Sequence, residues 1–108
     1  MVKSIGLLKK KEGITQEQFL RHWKEIHGPI ALKYAPGLRR YVQNHPVNLP
    51  GAKYPYDGIA ELWFDDVESA LGFSKWLKSD AGKIARDDIK LFADRMDGFM
   101  AEEIVLRE

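Results

Sequence analysis

The chain has 108 residues, 44% of them hydrophobic and 31% charged, a composition that fits one small globular domain and excludes a disordered tail or a membrane protein. Seventeen Lys and Arg against 16 Asp and Glu leave a net charge of +1, which offers no global attraction to nucleic acid. The absence of Cys excludes disulfides, thiolate metal sites and a thiol nucleophile.

No apolar run approaches a membrane span, and the apolar core of MVKSIGLLKKK is too short for a signal peptide, so neither a membrane partner nor export is expected and the cytoplasm is the default location. The whole of 1–108 is read as a single domain. It can bury a real core but has little volume for a deep pocket as well, so a partner subunit is expected to help.

Val2 to Leu8 is rich in Val, Ile and Leu and predicts a strand buried on both faces, with the Lys9-Lys10-Lys11 run solvating its end. Thr15 and Gln18 form a capping-box pattern at the start of a helix, whose stripe of Phe19, Trp23, Ile26 and Ile30 needs a sheet to pack on. Gly28-Pro29 predicts an interruption, because Pro lacks an N–H and its ring opposes the carbonyl one turn earlier; Pro29 to Lys33 reads as a separate helical piece. Pro36-Gly37 marks a turn, Leu38 to His45 a second strand, and residues 46–55, with three of the five Pro, a loop long enough to act as a lid.

Tyr56 to Phe64 predicts a third strand, and Asp65-Asp66 caps a helix from Val67 with Ala70, Phe73 and Leu77 inside. Ser79-Asp80 can cap a further helix carrying Ala81, Ile84, Ala85, Leu91 and Phe92; Gly98 ends it, and Phe99 to Leu106 is the fourth strand. The order β-α-β-β-α-β predicts an α+β, ferredoxin-like fold with a four-stranded antiparallel sheet covered by helices on one side.

Side chains alternate along a strand, so Gly58, Ala60, Leu62 and Phe64 share the helix-covered face and Ile59, Glu61 and Trp63 the open one. The same reasoning places Leu38 and Val42 under the helices and Tyr41, Gln43 and His45 opposite, with Arg40 out of pattern. An open face with Ile, Trp and Tyr needs a cover, which predicts a homodimer of two sheets packed face to face around an apolar cavity for a small apolar or aromatic substrate. No H-E-x-x-H, P-loop or G-x-G-x-x-G motif is present, and the His and carboxylates lack ligand spacing, so neither a metal nor a cofactor is expected.

The segment FLRHWKEIHGPIALKYAPGLRRYVQNH followed by DGIAELWFDDVESA resembles the EthD family of the dimeric α+β barrel superfamily: a helix ending in His-Gly-Pro, then Pro-Gly-Leu, an aromatic strand, and a strand opened by Asp-Gly that carries Glu and Trp. The resemblance implies a dimeric barrel of ferredoxin-like subunits acting on small, mostly apolar or cyclic compounds. Relatives include proteins of ether-degradation operons, lactone isomerases of aromatic breakdown, and polyketide-pathway decarboxylases or dehydratases. Other branches of the superfamily bind haem through a helix His, for which this sequence carries no positive signal.

The expected catalytic residues are His27, Tyr41 and Glu61. His27 can exchange a proton near neutral pH or cap free carbonyls at a helix end; the resemblance implies that it borders the cavity and transfers protons. Tyr41 can donate a hydrogen bond to a substrate oxygen or serve as an amphipathic wall. Glu61 on an apolar face is either paired, for instance with Arg across the dimer, or a base with a raised pKa.

Trp23, Trp63, Ile5, Ile59 and His45 are the expected substrate-lining residues. His22, adjacent to Trp23 and turned away from it, is expected on the surface, and Trp76 in the core or at the dimer contact. The function these residues suggest is cofactor-independent isomerisation, dehydration or decarboxylation by an isomerase or lyase of catabolism; the alternative is a non-catalytic hydrophobic-ligand-binding or accessory protein.

Overall fold

A computed structural model describes residues 1–108. Strand β1 (Val2–Lys10) is followed by helix α1 (Gln16–His22), a π-helical turn (Trp23–His27), α2 (Gly28–Tyr34), β2 (Arg40–Asn44), β3 (Gly58–Phe64), α3 (Val67–Lys78), α4 (Lys83–Ile89) and β4 (Ala93–Glu102). All strand pairs are antiparallel in the order β2-β3-β1-β4, and the helices lie on one side, which is the ferredoxin-like arrangement.

Local chemistry sets the helix starts. Thr15 and Gln18 form the reciprocal capping box, at 3.0 and 2.8 Å, and Asp66 caps α3 by accepting from the Ser69 N–H at 2.8 Å. Ser79 bridges α3 and α4: its hydroxyl donates to the Trp76 carbonyl at 2.6 Å and accepts from the Gly82 N–H at 3.3 Å.

The Gly28-Pro29 pair does not break the helix. His27 and Gly28 keep right-handed helical angles, and the chain instead widens into a π turn in which the Gly28 N–H reaches the Trp23 carbonyl, five residues back. The extra residue absorbs the missing Pro29 donor and shifts the phase of the inner stripe. Phe19 and Trp23 are therefore buried, Ile26 is turned outward and 51% exposed, and Gly28 and Ala31 take up the inward positions.

The C-terminal half also departs from expectation. Helix α4 ends at Ile89, Ile84 and Leu91 face outward, and β4 begins at Ala93 rather than after Gly98. Gly98 lies in mid-strand, where β1 crosses so closely that a Cβ would stand 2.2 Å from the Ile5 carbonyl oxygen.

Register assigns the faces. Ser4, Gly6 and Leu8 of β1 pair with Leu62, Ala60 and Gly58 of β3 on the helix-covered side; Lys3, Ile5 and Leu7 share the open side with Trp63, Glu61 and Ile59. On β2 the expected parity is reversed: Tyr41 pairs with Leu62 and Gln43 with Ala60, beneath the helices, while Arg40 and Val42 pair with Trp63 and Glu61 on the open side. Arg40, the residue that disobeyed the expected pattern, marked the true phase.

The core gathers Leu8, Phe19, Trp23, Phe64, Phe73 and Phe92. Trp23 packs directly on Gly58, where a Cβ would stand 2.5 Å from the indole. Gly58→Ala should thus displace Trp23 and destabilise the fold by about 1–3 kcal/mol in urea unfolding, the usual cost of overpacking a core.

Candidate functional site

Between the helix layer and the sheet lies a cavity of about 580 Å³, lined mainly by apolar side chains. Trp23, Leu62, Phe73 and Trp76 form much of its wall, and His27, Tyr41 and Arg86 are among its polar lining groups. This places it inside one subunit. The expected chamber between two sheets is not where Tyr41 and His27 meet, because Tyr41 belongs to the covered face.

His27 is held from outside the cavity. Its Nδ1 lies 2.9 Å from Oδ2 of Asp88, whose Oδ1 is 3.0 Å from His22 Nε2. The Asp88 side chain is 9% exposed, so its charge is compensated by these two ring nitrogens rather than by water. In a regular α-helix, five residues turn through about 500°, leaving His22 and His27 about 140° apart. The π turn between them closes that angle, so both imidazoles reach one carboxylate. Phe92 supports the pair, its ring 4.7 Å from His22 and 5.2 Å from His27.

His22 is accordingly part of the site assembly and not a surface residue: it follows buried Phe19 by three residues in α1, and turning away from Trp23 aims it at Asp88 and Phe92. Asp88 went unrecognised in the sequence, although a signal existed. Ala85, Asp88 and Phe92 follow at spacings of three and four, which puts a carboxylate in an apolar stripe.

A second arm comes from β2. Gln43 Nε2 donates to the Trp23 carbonyl and to the Tyr41 hydroxyl oxygen, each at 2.9 Å, while Gln43 Oε1 is 2.9 Å from His45 Nε2. Because the Tyr41 oxygen accepts from Gln43, its O–H remains free to donate into the cavity. Burial holds the Tyr41 pKa above its ordinary value, against the effects of Gln43 and Trp23, so the phenol stays protonated. His45 stacks on Trp23 with ring centres 5.0 Å apart and is not among the lining residues; it acts on the cavity only through the indole and Gln43.

Glu61, Trp63 and Ile59 lie on the opposite side of the sheet and line no part of the cavity; Ile5 borders it although its side chain shares their face. Glu61 accepts from Lys3 Nζ at 2.7 Å and from Asn44 Nδ2 at 3.0 Å, and these bonds hold its pKa below the usual carboxylate value. It is a paired carboxylate and not a base with a raised pKa. Trp63 is buried beneath Lys3 and Arg40, which sit 4.9 and 4.6 Å from its ring, and donates to Glu103 at 3.1 Å. Trp76 is a core and cavity residue, packed on Phe73 at 6.0 Å.

The geometry provides a base and a hydrogen-bond donor facing one apolar volume. Asp88 takes the Nδ1–H of His27, leaving Nε2, which has no protein partner, to receive a proton. Burial lowers the His27 pKa below its ordinary 6.5, and Asp88 only partly offsets this, so the ring is neutral at pH 7. No group of three or more His, Cys, Asp or Glu is arranged to hold a metal ion.

The unfolded His takes up a proton near 6.5 while the folded one resists until lower pH. Stability from this group is therefore complete above 6.5 and is lost as pH falls through the folded value. In ¹⁵N NMR, His27 should be the Nδ1–H tautomer and titrate below 6.5. Asp88→Asn should lower that midpoint further, since a raising interaction is lost, and weaken the Nδ1–H preference; an unchanged midpoint and tautomer would show that Asp88 does not hold the ring.

The comparisons agree with this architecture. The family model for the EthD domain matches residues 11–96. An EthD family protein of Bacillus halodurans C-125 is 28% identical over 96% of this chain and 99% of its own, with a TM-score of 0.74. An EthD-like protein of Ralstonia eutropha JMP134 is 14% identical over 98% and 95% of the two chains, with a TM-score of 0.71, and a dimeric ferredoxin-like protein of unknown function from Bacteroides fragilis is 15% identical over 94% and 95%, with a TM-score of 0.66. No protein of curated function is significantly similar in sequence. With its domain matched across most of its length and its fold shared with these structures, the chain belongs to the EthD family.

Proposed function

We propose that the chain is a cofactor-independent enzyme that moves a proton on a small cyclic, aromatic or polyketide-like catabolic intermediate, with isomerisation, dehydration or decarboxylation as the outcome. The observation that carries this reading is the Asp88–His27 pair at 2.9 Å, which presents a neutral imidazole Nε2 to an apolar cavity. His27 Nε2 removes a proton from a carbon next to a carbonyl and becomes imidazolium, stabilised by the Asp88 carboxylate. Tyr41 donates its O–H to the oxygen on which charge develops. The proton then returns from His27 to another carbon, or to a departing hydroxide; in decarboxylation no C–H bond is broken first, and His27 instead takes the proton of the substrate's carboxyl group and delivers it to the carbon as the C–C bond breaks and carbon dioxide leaves. Trp23, Phe73 and Trp76 exclude water and so keep each of these interactions strong.

His27→Ala should lower turnover by about 10²- to 10⁴-fold with the fold intact. Unchanged turnover in that variant would overturn the assignment. Ligand-dependent thermal stabilisation without turnover, surviving the loss of His27, would instead identify an accessory ligand-binding protein.

We further propose that two copies pair through the open sheet face. Ile59 and Phe99 are 39% and 61% exposed there, next to Ile5 and Leu7, and the Bacteroides fragilis relative is itself dimeric. Phe99→Asp should yield a monomer in sedimentation velocity; a wild-type chain that is monomeric at tens of micromolar would refute the pairing.

A further inference from the structure

The cavity lining holds two cations, Arg86 and Lys78, and neither is paired with a carboxylate. Arg86 of α4 is half-buried in the lining, and its Nη1 donates to the carbonyls of Leu77, at 2.6 Å, and Ser79, at 2.9 Å. These bonds use both Nη1 hydrogens and clamp the guanidinium against the C-terminal end of α3. Its Nε and Nη2 groups, with three N–H donors, have no acceptor in the protein, and no Asp or Glu lies within ion-pair distance.

The acidic residue of the lining does not answer this charge. Asp97 is bonded to the Tyr56 hydroxyl and to Arg95 Nε, both at 2.8 Å. Lys78, exposed at the rim, adds a second positive charge, and no anionic side chain in the lining is left unpaired. The half-buried guanidinium therefore keeps three unused N–H donors at the cavity lining, which a ligand there can engage.

We propose that Arg86 is a substrate-binding residue and that the natural ligand is a carboxylate with an apolar, cyclic or aromatic body. The free Nε–Nη2 edge of a clamped guanidinium matches the two oxygens of a carboxylate, a geometry that Lys cannot reproduce. The apolar walls take the body, and His27 lies along the same cavity. Helix α4 thus serves both ends of the site: Asp88 holds the base and Arg86 holds the anion, two residues apart on one rigid turn. This assignment rests on reading the cavity as the substrate site, but not on any turnover.

The test compares 1-naphthoate with its neutral counterpart 1-naphthamide by isothermal titration calorimetry. Wild type should bind the carboxylate at least about tenfold more tightly, the smallest margin expected for a hydrogen bond to a charged group. Arg86→Leu should abolish that preference, Arg86→Lys should keep only part of it, and His27→Gln should leave it in place. Since Arg86 also ties down the end of α3, a wild-type measurement stands beside the variants: the Arg86 Nε–H resonance should shift with naphthoate and not with naphthamide. Equal affinities, no binding of naphthoate, a preference that survives in folded Arg86→Leu, or an unmoved Nε–H signal would each overturn the proposal. An inactive His27 reading alongside an intact naphthoate preference would sink the proton-transfer proposal alone, and the converse result would sink only this one.

Discussion

The structure turns on a single buried carboxylate. Asp88 stands between two imidazoles that arrive from the same helix, and it can do so only because that helix contains a π turn. A carboxylate taken out of water needs donors on both oxygens, and His22 and His27 supply one each. The consequence is an imidazole fixed in orientation and in tautomer, with its remaining nitrogen available to the cavity. Had the helix stayed α-helical through Trp23–His27, His27 would have been carried about 140° away from His22 and Asp88 would have kept only half of its compensation.

The π turn has a traceable cause. Pro29 cannot donate to the carbonyl one turn back, that of Glu25, and a regular helix would press the Pro ring against it. Widening the turn lets Gly28 bond the Trp23 carbonyl, which Gln43 also reaches from the sheet. Gly28 is closely packed: a Cβ would meet Gln43 Nε2 at 3.1 Å and the Trp23 carbonyl at 3.3 Å, so a side chain there would have to push Gln43 aside. His-Gly-Pro is therefore one mechanical unit: Pro forces the widening, Gly admits the sheet side chain, and His is delivered to Asp88.

The two sides of the sheet divide the labour. On the covered side, Tyr41 and His27 meet an apolar volume, and their polar supports, Gln43 and Asp88, approach from β2 and α4. On the open side, Lys3 links Glu61 to Glu103 and, with Arg40, covers Trp63, while Ile5, Leu7, Val42, Ile59 and Phe99 are among its apolar side chains. Pairing of open faces would leave the covered-side cavity within each subunit.

The sequence by itself determined the element order, the capping box at Thr15, the cap at Asp66, the alternation of β3 and the family, because each depends on neighbours a few residues apart or on a local motif. It also singled out His27 and Tyr41 as chemically capable groups. Only the tertiary structure decided which groups surround them. The parity of β2 was misread because a strand of five residues carries too few side chains to fix its phase without its partner β3. His22 was misplaced because turning away from Trp23 points it at Asp88, a partner 66 positions away in the chain, and not at solvent. Glu61 could be read as a base or as a paired carboxylate, and only Lys3, 58 positions away in the chain, decides for the pair. The partners of Asp88 and Gln43 were hidden for the same reason: the apolar stripe around Asp88 could flag a buried carboxylate, but hydrogen bonds to residues 61 and 20 positions distant exist only once α4 and β2 have packed against the first helix.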